Sequence, residues 1–366
     1  MRTRLAETLG IEYPIFAFSH CRDVVAAVSR AGGLGVMGAV RLTPQQLEIE
    51  LDWIDQHVGG KPYGVDFLLP SSYAGDDVQA LAGDIPAAHR QFVAGLERRF
   101  GIPPRSALGT PSDLGGGDGL VSTHARARGL IDVALRHPVK LAATALGPFP
   151  ADLAERFHQR DILIAGLVGQ VKHAHKHVAA GTDIIVATGT EAAGHTGDIT
   201  TSVLVPQVVD AVAPVPVVAA GGIGNGRQIA AALALGAEGV WAGSVWLGTA
   251  ESDLDPVVRA KLLAATSQDT VRSRCASGKP VRQLRTPWVD AWESADAPEP
   301  LPMPLQGLLV RDAVVSAHEH HIAPVMGTPV GQVVGMMNKS STVREVMFGL
   351  VEEFAESAQR LAGLLG

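Results

Sequence analysis

One histidine, His195, could carry acid–base chemistry, because it lies in a loop of small residues. The apolar run 183–187 precedes this loop and predicts a buried strand that opens into it. A histidine presented in this way can act as a general acid or base, although single loop histidines are also commonly structural. Glu191 lies four residues earlier, but the glycines on both sides of His195 disfavour the helix that an E-x-x-x-H metal site needs. His195 is therefore a candidate acid–base group and not an expected metal ligand.

Two glycine-rich loops later in the chain have the composition of an anion site. They are 219–226 (AAGGIGNG) and 242–244 (AGS). Glycine lets backbone N–H groups approach a phosphate closely, and the hydroxyl of Ser244 adds a donor. Arg227 stands where G-x-G-x-x-G requires its third glycine, so a dinucleotide fingerprint is not expected. Tight turns without a ligand are the alternative explanation of these glycines.

The remaining candidate metal or thiol residues give weaker predictions. His173 and His177 share one face of a predicted helix that we expect to be solvated, and 318–321 (HEHH) lies in an irregular region. Cys21 and Cys275 are far apart and form no C-x-x-C pair, which argues against a disulfide framework or a thiolate zinc site. We therefore expect no metal.

Eight strand–helix units are predicted in the first 265 residues or so. Short β-branched runs separated by amphipathic helices are typical of a parallel sheet that is covered on its outside. The predicted strands are 13–18, 34–40, 63–69, 139–145, 161–167, 183–188, 215–220 and 239–246. The predicted helices are 22–31, 45–57, 87–100, 123–136, 151–159, 171–180, 203–212, 226–235 and 256–265. Eight units predict a (β/α)8 TIM barrel, which needs about 250 residues. A doubly wound open sheet is the alternative, but it would carry a glycine fingerprint after its first strand, where this chain has none.

The chain departs from this rhythm in two places. The segment 71–119 contains one plausible helix and is otherwise rich in Pro, Gly and Ser, so it is either a solvated connector or an active-site loop. After residue 268 the chain is Pro-rich and irregular, and 342–365 is strongly helical. We predict that 1–70 and 120–268 form the barrel. We predict that 71–119 and 269–366 form a smaller, mainly helical cap over the barrel mouth.

Composition limits the classes of function. The 366 residues are 46% hydrophobic and 18% charged, as in ordinary globular proteins, and the formal net charge is −7. No long basic stripe is present, so nucleic acid is not an expected partner. The N-terminus has no apolar signal region, and no window approaches about 18 uninterrupted apolar residues. We therefore expect no membrane partner and a cytoplasmic location.

The barrel prediction gathers the candidate residues at one end, because the active sites of this fold lie at the carboxyl ends of the strands. Ser19 and His20 follow strand 1, Asp66 lies at strand 3, and His195 follows strand 6. The two glycine loops follow strands 7 and 8, where many such barrels bind phosphate. The order of these features predicts a phosphate-bearing ligand beside His195.

Several segments resemble the nitronate monooxygenase family, formerly called 2-nitropropane dioxygenases. They are AVSRAGGLGVMG (27–38), AAGTDIIVATGTEAAGHTG (179–197), LVPQVVDAV (204–212) and PVPVVAAGGIGNGRQIAAALALGAEGVWAGSVWL (214–247), and the resemblance spans 1–270. It implies an FMN-dependent (β/α)8 barrel with a small helical second domain. It also implies a reaction in which O2 is consumed and a nitronate becomes a carbonyl compound and nitrite. The histidine that matches His195 would lie beside the flavin, as base for a neutral nitroalkane or as positive partner of an anionic nitronate.

The resemblance also implies which residues contact the ligands. The implied cofactor contacts are Ala17, Phe18, Ser19, Asp66, Gly194, Ala220, Gly221, Gly222, Gly243 and Ser244. The implied substrate contacts are His20 and Thr188, and the implied catalytic residue is His195.

The departures from the family pattern lie where the flavin ring is expected. Ala17 and His20 replace the usual Gln and Met of strand 1, Asp66 replaces Asn, and Thr188 replaces Gln. One hypothesis is that His20 and Asp66 bind a polar or acyl-thioester substrate, and the alternative is that they only reposition the ring. Two other functions stay open. One is an NAD(P)H-dependent flavin reductase acting on enoyl thioesters or quinones, and the other is a catalytically silent flavin- or phosphate-binding protein. The expected partners are a small-molecule substrate and O2, with NAD(P)H and a homodimer left open.

Overall fold

The computed structural model describes residues 1–69, 78–105 and 124–365. Eight parallel strands form a closed barrel in the order β1-β2-β3-β4-β5-β6-β8-β9. Their bounds are β1 Ile15–Ser19, β2 Leu34–Gly38, β3 Tyr63–Leu68, β4 Leu141–Ala145, β5 Leu163–Val168, β6 Ile184–Thr188, β8 Val217–Ala220 and β9 Gly239–Ala242. The first and last strands pair through Ile15–Val240 and Ala17–Ala242, which closes the ring. The predicted (β/α)8 barrel is confirmed, and the open doubly wound sheet is excluded.

Helices cover the outside of the barrel and one of its ends. In chain order they are α1 Arg4–Leu9, α2 Arg22–Arg30, α3 Pro44–His57, α4 Val78–Gly83, α5 Ala87–Phe100, α6 His124–Ala134, α7 Ala151–His158, α8 Val171–Ala179, α9 Thr201–Val212, α10 Gly226–Ala234, α11 Pro256–Ala264, α12 Pro287–Trp292, α13 Leu305–Glu319 and α14 Val343–Ala362. Leu5 and Leu9 of α1 pack against the inward-facing Phe16 and Leu34, so α1 closes the amino-terminal end of the barrel. None of the described helices is both long and apolar enough to span a membrane.

Side chains alternate strictly between the two faces of the barrel wall, as a period of two requires. Along β1, Ile15 and Ala17 pack outward against the helices, whereas Phe16 packs inward. Inward-facing residues near the carboxyl ends of the strands, such as Phe18, Leu68 and Leu167, are only partly buried. The barrel is therefore filled at its amino-terminal end and open at its mouth.

Many strand and helix ends differ from the prediction by one or two residues, and three differences stand out. The predicted strand 239–246 ends at Ala242, and the five residues Ser244–Gly248 form a 3-10 helix. Helix α9 begins at Thr201 and not at residue 203, because the carboxylate of Glu191 accepts hydrogen bonds from the N–H group of Thr201. Helix α4 was not predicted. Most of the Pro/Gly/Ser-rich part of the insertion lies outside the described residues.

The segment after residue 268 is less helical than predicted. Strands β10 (Thr270–Ser273) and β11 (Val281–Leu284) form an antiparallel sheet with a two-residue strand, β7 (Gly194–His195). Short apolar stretches between prolines gave no sign of this sheet, whose third strand comes from the His195 loop.

The two parts of the predicted cap pack together, but the last helix does not belong to that packing. Val93 and Leu96 of α5 share a buried cluster with Trp288 of α12 and Val310 of α13. In contrast, Met347 of α14 lies in the same cluster as the outer residues of the barrel. Helix α14 therefore completes the outer layer of the barrel beside α2 and α10. The division into 1–70 with 120–268 and 71–119 with 269–366 stays a prediction.

Candidate active site

The carboxyl ends of β1, β2 and β3 form one corner of the barrel mouth. Strand β1 carries Phe18 and leads into His20, β2 ends at Gly38, and β3 carries Asp66. The Nδ1 atom of His20 lies 2.9 Å from the carbonyl oxygen of Gly38, and Gly38 is level with Asp66 in the strand register. The rings of Phe18 and His20 meet edge to face at 5.1 Å. A Cβ atom on Gly38 would lie 2.6 Å from the His20 ring and 2.9 Å from Phe18. Glycine at position 38 therefore allows the other two side chains to fill this corner of the mouth.

The carboxyl group of Asp66 is buried, but one of its oxygen atoms has no hydrogen-bond partner. It lies one residue away from the outward-facing Val65 and Phe67, so it faces the barrel interior. Its Oδ1 atom is inaccessible and has no hydrogen-bond partner, although the residue keeps some surface open to the mouth. Burial raises the pKa of Asp66 from its ordinary 3.8 to about 7. Near neutral pH this carboxyl group is protonated in a large fraction of molecules, and a protonated carboxyl offers a donor and an acceptor, as an amide does.

His20 is uncharged, which changes how it can contact a ligand. The carbonyl oxygen of Gly38 can only accept, so the Nδ1 atom of His20 carries the hydrogen and Nε2 keeps its lone pair. Burial, and then the positive charge of Arg41, lower the pKa of His20 to about 3. The hypothesis that His20 contacts a polar or acyl-thioester substrate stays a prediction, in which His20 takes part as a neutral group. His20 offers an acceptor and not a cation.

The loop after β8 has the backbone shape of an anion cradle. Gly221 and Gly222 both have positive φ, +94° and +74°, where side-chain-bearing residues are strained. A Cβ atom on Gly221 would lie 3.0 Å from the carbonyl oxygen of Gly189 and 3.0 Å from Oγ1 of Thr201. Because Gly221 has no side chain, this loop can pack closely against the loop that follows β6.

Four backbone N–H groups of this rim have no hydrogen-bond acceptor among the described residues. They belong to Gly221, Gly222, Gly243 and Ser244. Because backbone N–H groups in folded proteins are nearly always paired or solvated, a cluster of four suits an anionic ligand. The Oγ atom of Ser244 accepts a hydrogen bond of 2.8 Å from the N–H of Gly331, which leaves the hydroxyl hydrogen free to donate.

The start of helix α10, in contrast, is already capped. Asn225 and Gln228 form a capping box, and the carboxylate of Glu353 accepts a hydrogen bond from the N–H group of Gly226. The N–H groups of Gly226 and Gln228, at the start of this helix, are therefore already paired. The unpaired N–H groups lie before this helix, in the turn itself.

Glu191 has a structural role in the same loop. Its carboxylate accepts hydrogen bonds from the N–H and the hydroxyl of Thr201, at the start of α9. An acidic group is favourable at a helix N-terminus. Its carbonyl oxygen also accepts from the N–H of Gln332, which fastens the C-terminal segment over the rim.

His195 is held by the segment that follows the barrel. Through β7 it pairs with Val281 of β11, and its Nε2 atom lies 2.8 Å from Oγ of Ser277. Burial, and then the positive charge of Lys279, lower the pKa of His195 to about 4. Arg282 anchors the loop from the other side by donating to the carbonyl oxygen of Thr190 at 2.9 Å. His195 is therefore a neutral imidazole at physiological pH.

The comparisons with known proteins agree with this geometry. The family model for nitronate monooxygenase matches residues 2–353. The chain belongs to the nitronate monooxygenase family. Members of this family are flavin-dependent oxidoreductases, and the chain is an enzyme of this kind.

Individual relatives cover most or all of the chain. The chain is 54% identical to “Putative monooxygenase Rv1533” of Mycobacterium tuberculosis, over 100% of both proteins. It is 31% identical to a carboxyl-CoA dehydrogenase of Rhodococcus jostii, over 80% of this chain and 68% of the relative. A solved nitroalkane oxidase from Streptomyces ansochromogenes superposes with a TM-score of 0.80 at 25% identity, over 97% of this chain and 99% of the other.

Within this nitronate monooxygenase fold, the predicted site residues fall into three groups. Phe18, His20 and Asp66 form one corner of the mouth. The glycine loops with Ser244 lie next to this corner, because β9 pairs with β1, and a Cβ atom on Gly243 would lie 3.8 Å from Phe18. Thr188 is level with Ala220 in the register of β6 and β8, and both face the barrel interior. Gly194 and His195 form the third group, which pairs with β11 of the C-terminal segment.

Two predicted residues have other uses for their side chains. Ala17 faces outward into the helix-covered core, so its side chain cannot line the mouth, and it could contact a ligand only through its main chain. The hydroxyl of Ser19 accepts from the N–H of Cys21 at 3.1 Å and shapes the turn into α2.

Sequence reasoning missed the residues that the C-terminal segment brings to the site. Ser277 and Lys279 face His195, and Gly331 contacts Ser244. No motif marks them, and they lie 82 to 87 positions away from their partners. Only the pairing of β7 with β11 and the path of the chain over the rim reveal them.

Proposed function

We propose that the chain is an FMN-dependent enzyme that oxidises alkyl nitronates with O2 to carbonyl compounds and nitrite. The observation that carries this proposal is the cluster of unpaired N–H groups after β8 and β9, in a barrel of the nitronate monooxygenase family. These two strand ends are where barrels of this kind bind phosphate groups. His195 and Asp66 supply the ionisable groups near the same end.

The residues at the rim fit the phosphate of FMN. Gly221, Gly222, Gly243 and Ser244 would hold it through four N–H groups and one hydroxyl. FMN is favoured over FAD because the chain has no dinucleotide fingerprint after its first strand. The flavin supplies the electron acceptor that no side chain of the protein provides.

The corner formed by Phe18, His20 and Asp66 would surround the flavin ring. Asp66, with an unpaired Oδ1 atom, is placed to hydrogen-bond a polar ring atom in its protonated form. The further cofactor contacts that we propose are Phe18, the main chain of Ala17 and Ser19, Gly194 and Ala220. Phe18 already packs against Trp241 with ring centroids 6.4 Å apart, so it is held in place before a ligand binds.

His195 would act as the base when the substrate is a neutral nitroalkane. Its low pKa keeps the imidazole unprotonated, so a ring nitrogen is available to accept the proton from carbon. The hydrogen bond to Ser277 fixes the ring orientation. The alternative role as a positive partner of the nitronate is disfavoured, because burial and Lys279 both oppose protonation of His195. Lys279 itself is the cation that would face an anionic substrate.

His20 and Thr188 would contact the substrate as neutral groups. The Nε2 atom of His20 offers a lone pair, and the hydroxyl of Thr188 lies 3.3 Å from the carbonyl oxygen of Val186, to which it donates. A pair of neutral polar groups suits a small polar substrate, and it gives no charge-based selection for a large anionic one.

A flavin reductase acting on enoyl thioesters or quinones with NAD(P)H is the second candidate. The relative of Rhodococcus jostii, a carboxyl-CoA dehydrogenase by name, favours an acyl-thioester substrate over a quinone within this candidate.

Steady-state turnover separates the two candidates. The FMN-loaded protein is mixed in air with the nitronates of nitroethane and 1-nitropropane, and nitrite release and O2 uptake are recorded. We expect nitrite in proportion to O2. With the parent nitroalkanes, we expect His195→Gln to lower the rate by about 100-fold, since general bases contribute at least this much. His158→Gln is the matched control, because His158 is an exposed histidine on the outer helix α7.

The result that would contradict the proposal is an absence of nitrite with every nitronate, together with consumption of NADH or NADPH when an enoyl thioester is added. A protein that binds no flavin and shows neither reaction would contradict both enzyme candidates.

We further propose a cytoplasmic location and a small-molecule substrate with O2 as the reaction partners. A homodimer is a separate proposal, tested by the mass of the purified FMN-loaded protein in multi-angle light scattering. A mass equal to one chain of 38.2 kDa would contradict it.

A further inference from the structure

We propose that a divalent transition-metal ion of the zinc type binds on the outside of the barrel, between Glu48, Asp52 and His137. This inference is independent of the proposed function and concerns a different part of the molecule. No sequence motif predicted it, and our expectation of no metal rested on other histidines. We call this cluster the α3–α6 site.

The α3–α6 site is built by two neighbouring barrel helices. Glu48 and Asp52 are four residues apart on α3, so they lie one above the other on the same face. His137 follows the end of α6, which packs beside α3. One donor atom from each of the three residues lies within 4.8 Å of the other two. A single ion can therefore reach all three donors after small side-chain rotations, because bonds to zinc are about 2.0–2.2 Å long.

His137 carries the observation that points to a ligand. Its side chain is only 5% exposed, and its Nε2 atom is buried without a hydrogen-bond partner. The nearest charged atom, Oε1 of Glu48, is 3.7 Å away, which is too far for a hydrogen bond. A buried polar nitrogen without a partner is costly, and a metal bond would satisfy it.

Asp55 prepares His137 for this role. It lies on the same face of α3, and its Oδ2 atom is 2.7 Å from Nδ1 of His137. An ionised carboxylate can only accept, so Nδ1 carries the hydrogen. In the neutral imidazole the lone pair is then on Nε2, which lies 3.7 Å from Oε1 of Glu48. The hydroxyl of Tyr63 donates to the other oxygen of Asp55 at 2.6 Å and fixes its position. A carboxylate that orients a metal-binding histidine in this way is a common feature of zinc sites.

The donor set selects the class of metal. One imidazole nitrogen and two carboxylate oxygens suit Zn²⁺ and related transition ions, whereas Ca²⁺ and Mg²⁺ prefer oxygen ligands alone. Asp52 is exposed, so water can occupy the remaining coordination positions. The guanidinium of Arg136 forms an ion pair with Oε2 of Glu48 and competes with the metal for that carboxylate.

The position of the α3–α6 site indicates what the metal would do. Tyr63 is the first residue of β3, so the cluster lies toward the amino-terminal end of the barrel, away from the mouth. In this fold, that end serves stability and not catalysis. A bound ion would fasten α3 to the end of α6 and stabilise the folded chain by mass action.

Titration calorimetry of the full-length, chelator-stripped protein with Zn²⁺ tests the proposal. We expect one ion per chain and a higher melting temperature when zinc is present. His137→Gln and Asp52→Asn should each weaken binding by more than about 10-fold, and Asp55→Asn by about 10-fold or more, because orienting partners have effects of this size. Arg136→Gln should tighten binding, since it removes the competing cation.

The controls separate this site from general binding to surface histidines. His158→Gln removes an exposed histidine that pairs with Asp183 at 3.0 Å, and it should leave zinc affinity unchanged. Asp52 is exposed, so Asp52→Asn keeps the test valid if His137→Gln fails to fold. Absence of zinc binding to the wild-type protein, or equal affinity in the wild type and Asp52→Asn, would overturn the proposal.

Discussion

Replacing Asp66 by Asn removes a buried ionisable group while keeping its shape. The pKa of Asp66 is raised from 3.8 to about 7 because burial penalises the carboxylate. Between these two values the unfolded chain ionises Asp66 while the folded chain keeps the proton. Unfolding then releases a proton, so the stability of the wild type falls as the pH rises from about 4 to about 7 and is level above that. Asp66→Asn should lose this dependence and be the more stable protein at pH 8.

The size of the effect follows from the pKa. Since a tenfold change in an ionisation constant is worth about 1.4 kcal/mol, the full rise corresponds to about 4 kcal/mol, of which about 3 kcal/mol develops between about pH 5 and pH 8. With an unfolding entropy of about 2.1 cal/mol/K per residue, 366 residues convert this to about 4 °C in melting temperature. Water that reaches Asp66 through the open mouth lowers the penalty, so these figures are upper bounds.

The assay is thermal unfolding of the wild type and Asp66→Asn, stripped of FMN, at pH 5 and pH 8. From pH 5 to pH 8, the melting temperature of Asp66→Asn should rise relative to that of the wild type by up to about 4 °C. Adding saturating FMN shows whether a bound ligand satisfies the carboxyl group, in which case the difference narrows. A difference that is the same at both pH values would refute the argument that Asp66 is held protonated by burial.

Three further predictions concern the rim. In the parent nitroalkane reaction, we expect turnover to fall as the pH drops through about 4, where His195 becomes protonated, and His195→Ala should abolish this pH dependence while FMN stays bound. If the His195→Ala protein is colourless, it has lost FMN, and the proposed role of His195 as a base that is not needed for FMN binding is wrong. Gly221→Ala should weaken FMN binding by more than about 10-fold, measured by fluorescence titration, since φ is +94° and Cβ would crowd the neighbouring loop; unchanged affinity counts against the cradle. Glu191→Gln should lower the free energy of unfolding by about 1–2 kcal/mol in urea titrations, because a charge-assisted contact to α9 is weakened. An unchanged free energy of unfolding would mean that the contact between Glu191 and Thr201 is not maintained in solution.

Much of the barrel could be predicted from the sequence because its signals are local. The strand β6 is a run of buried, mostly apolar residues. Thr43 followed by Pro44 is a typical start of a helix, and the structure shows a capping box there, at the start of α3. The glycines at 221 and 222 were informative for the same reason, since positive φ is a property of the single residue. The number of repeated strand–helix units then predicts a closed barrel, and this prediction needs no knowledge of contacts between distant residues.

The remaining features depend on contacts between distant parts of the chain. The three-stranded sheet needs β7, which is only two residues long and has no strand signal of its own. The helical pattern of 343–362 was visible, but its packing against α10 was not, because amphipathicity does not identify the partner. The ionisation states of His20 and Asp66 also could not be predicted, because they depend on burial and on the carbonyl oxygen of Gly38.

An anaerobic absorbance titration of the purified protein tests the central claim most directly. The protein should contain a bound flavin, identified as FMN by mass after release. Addition of propionate 3-nitronate or an alkyl nitronate should bleach the visible absorbance of the flavin, while NADH and NADPH should leave that absorbance unchanged over the same period. Rapid bleaching by NADH or NADPH, with no response to any nitronate, would contradict the account and assign the chain to the reductases.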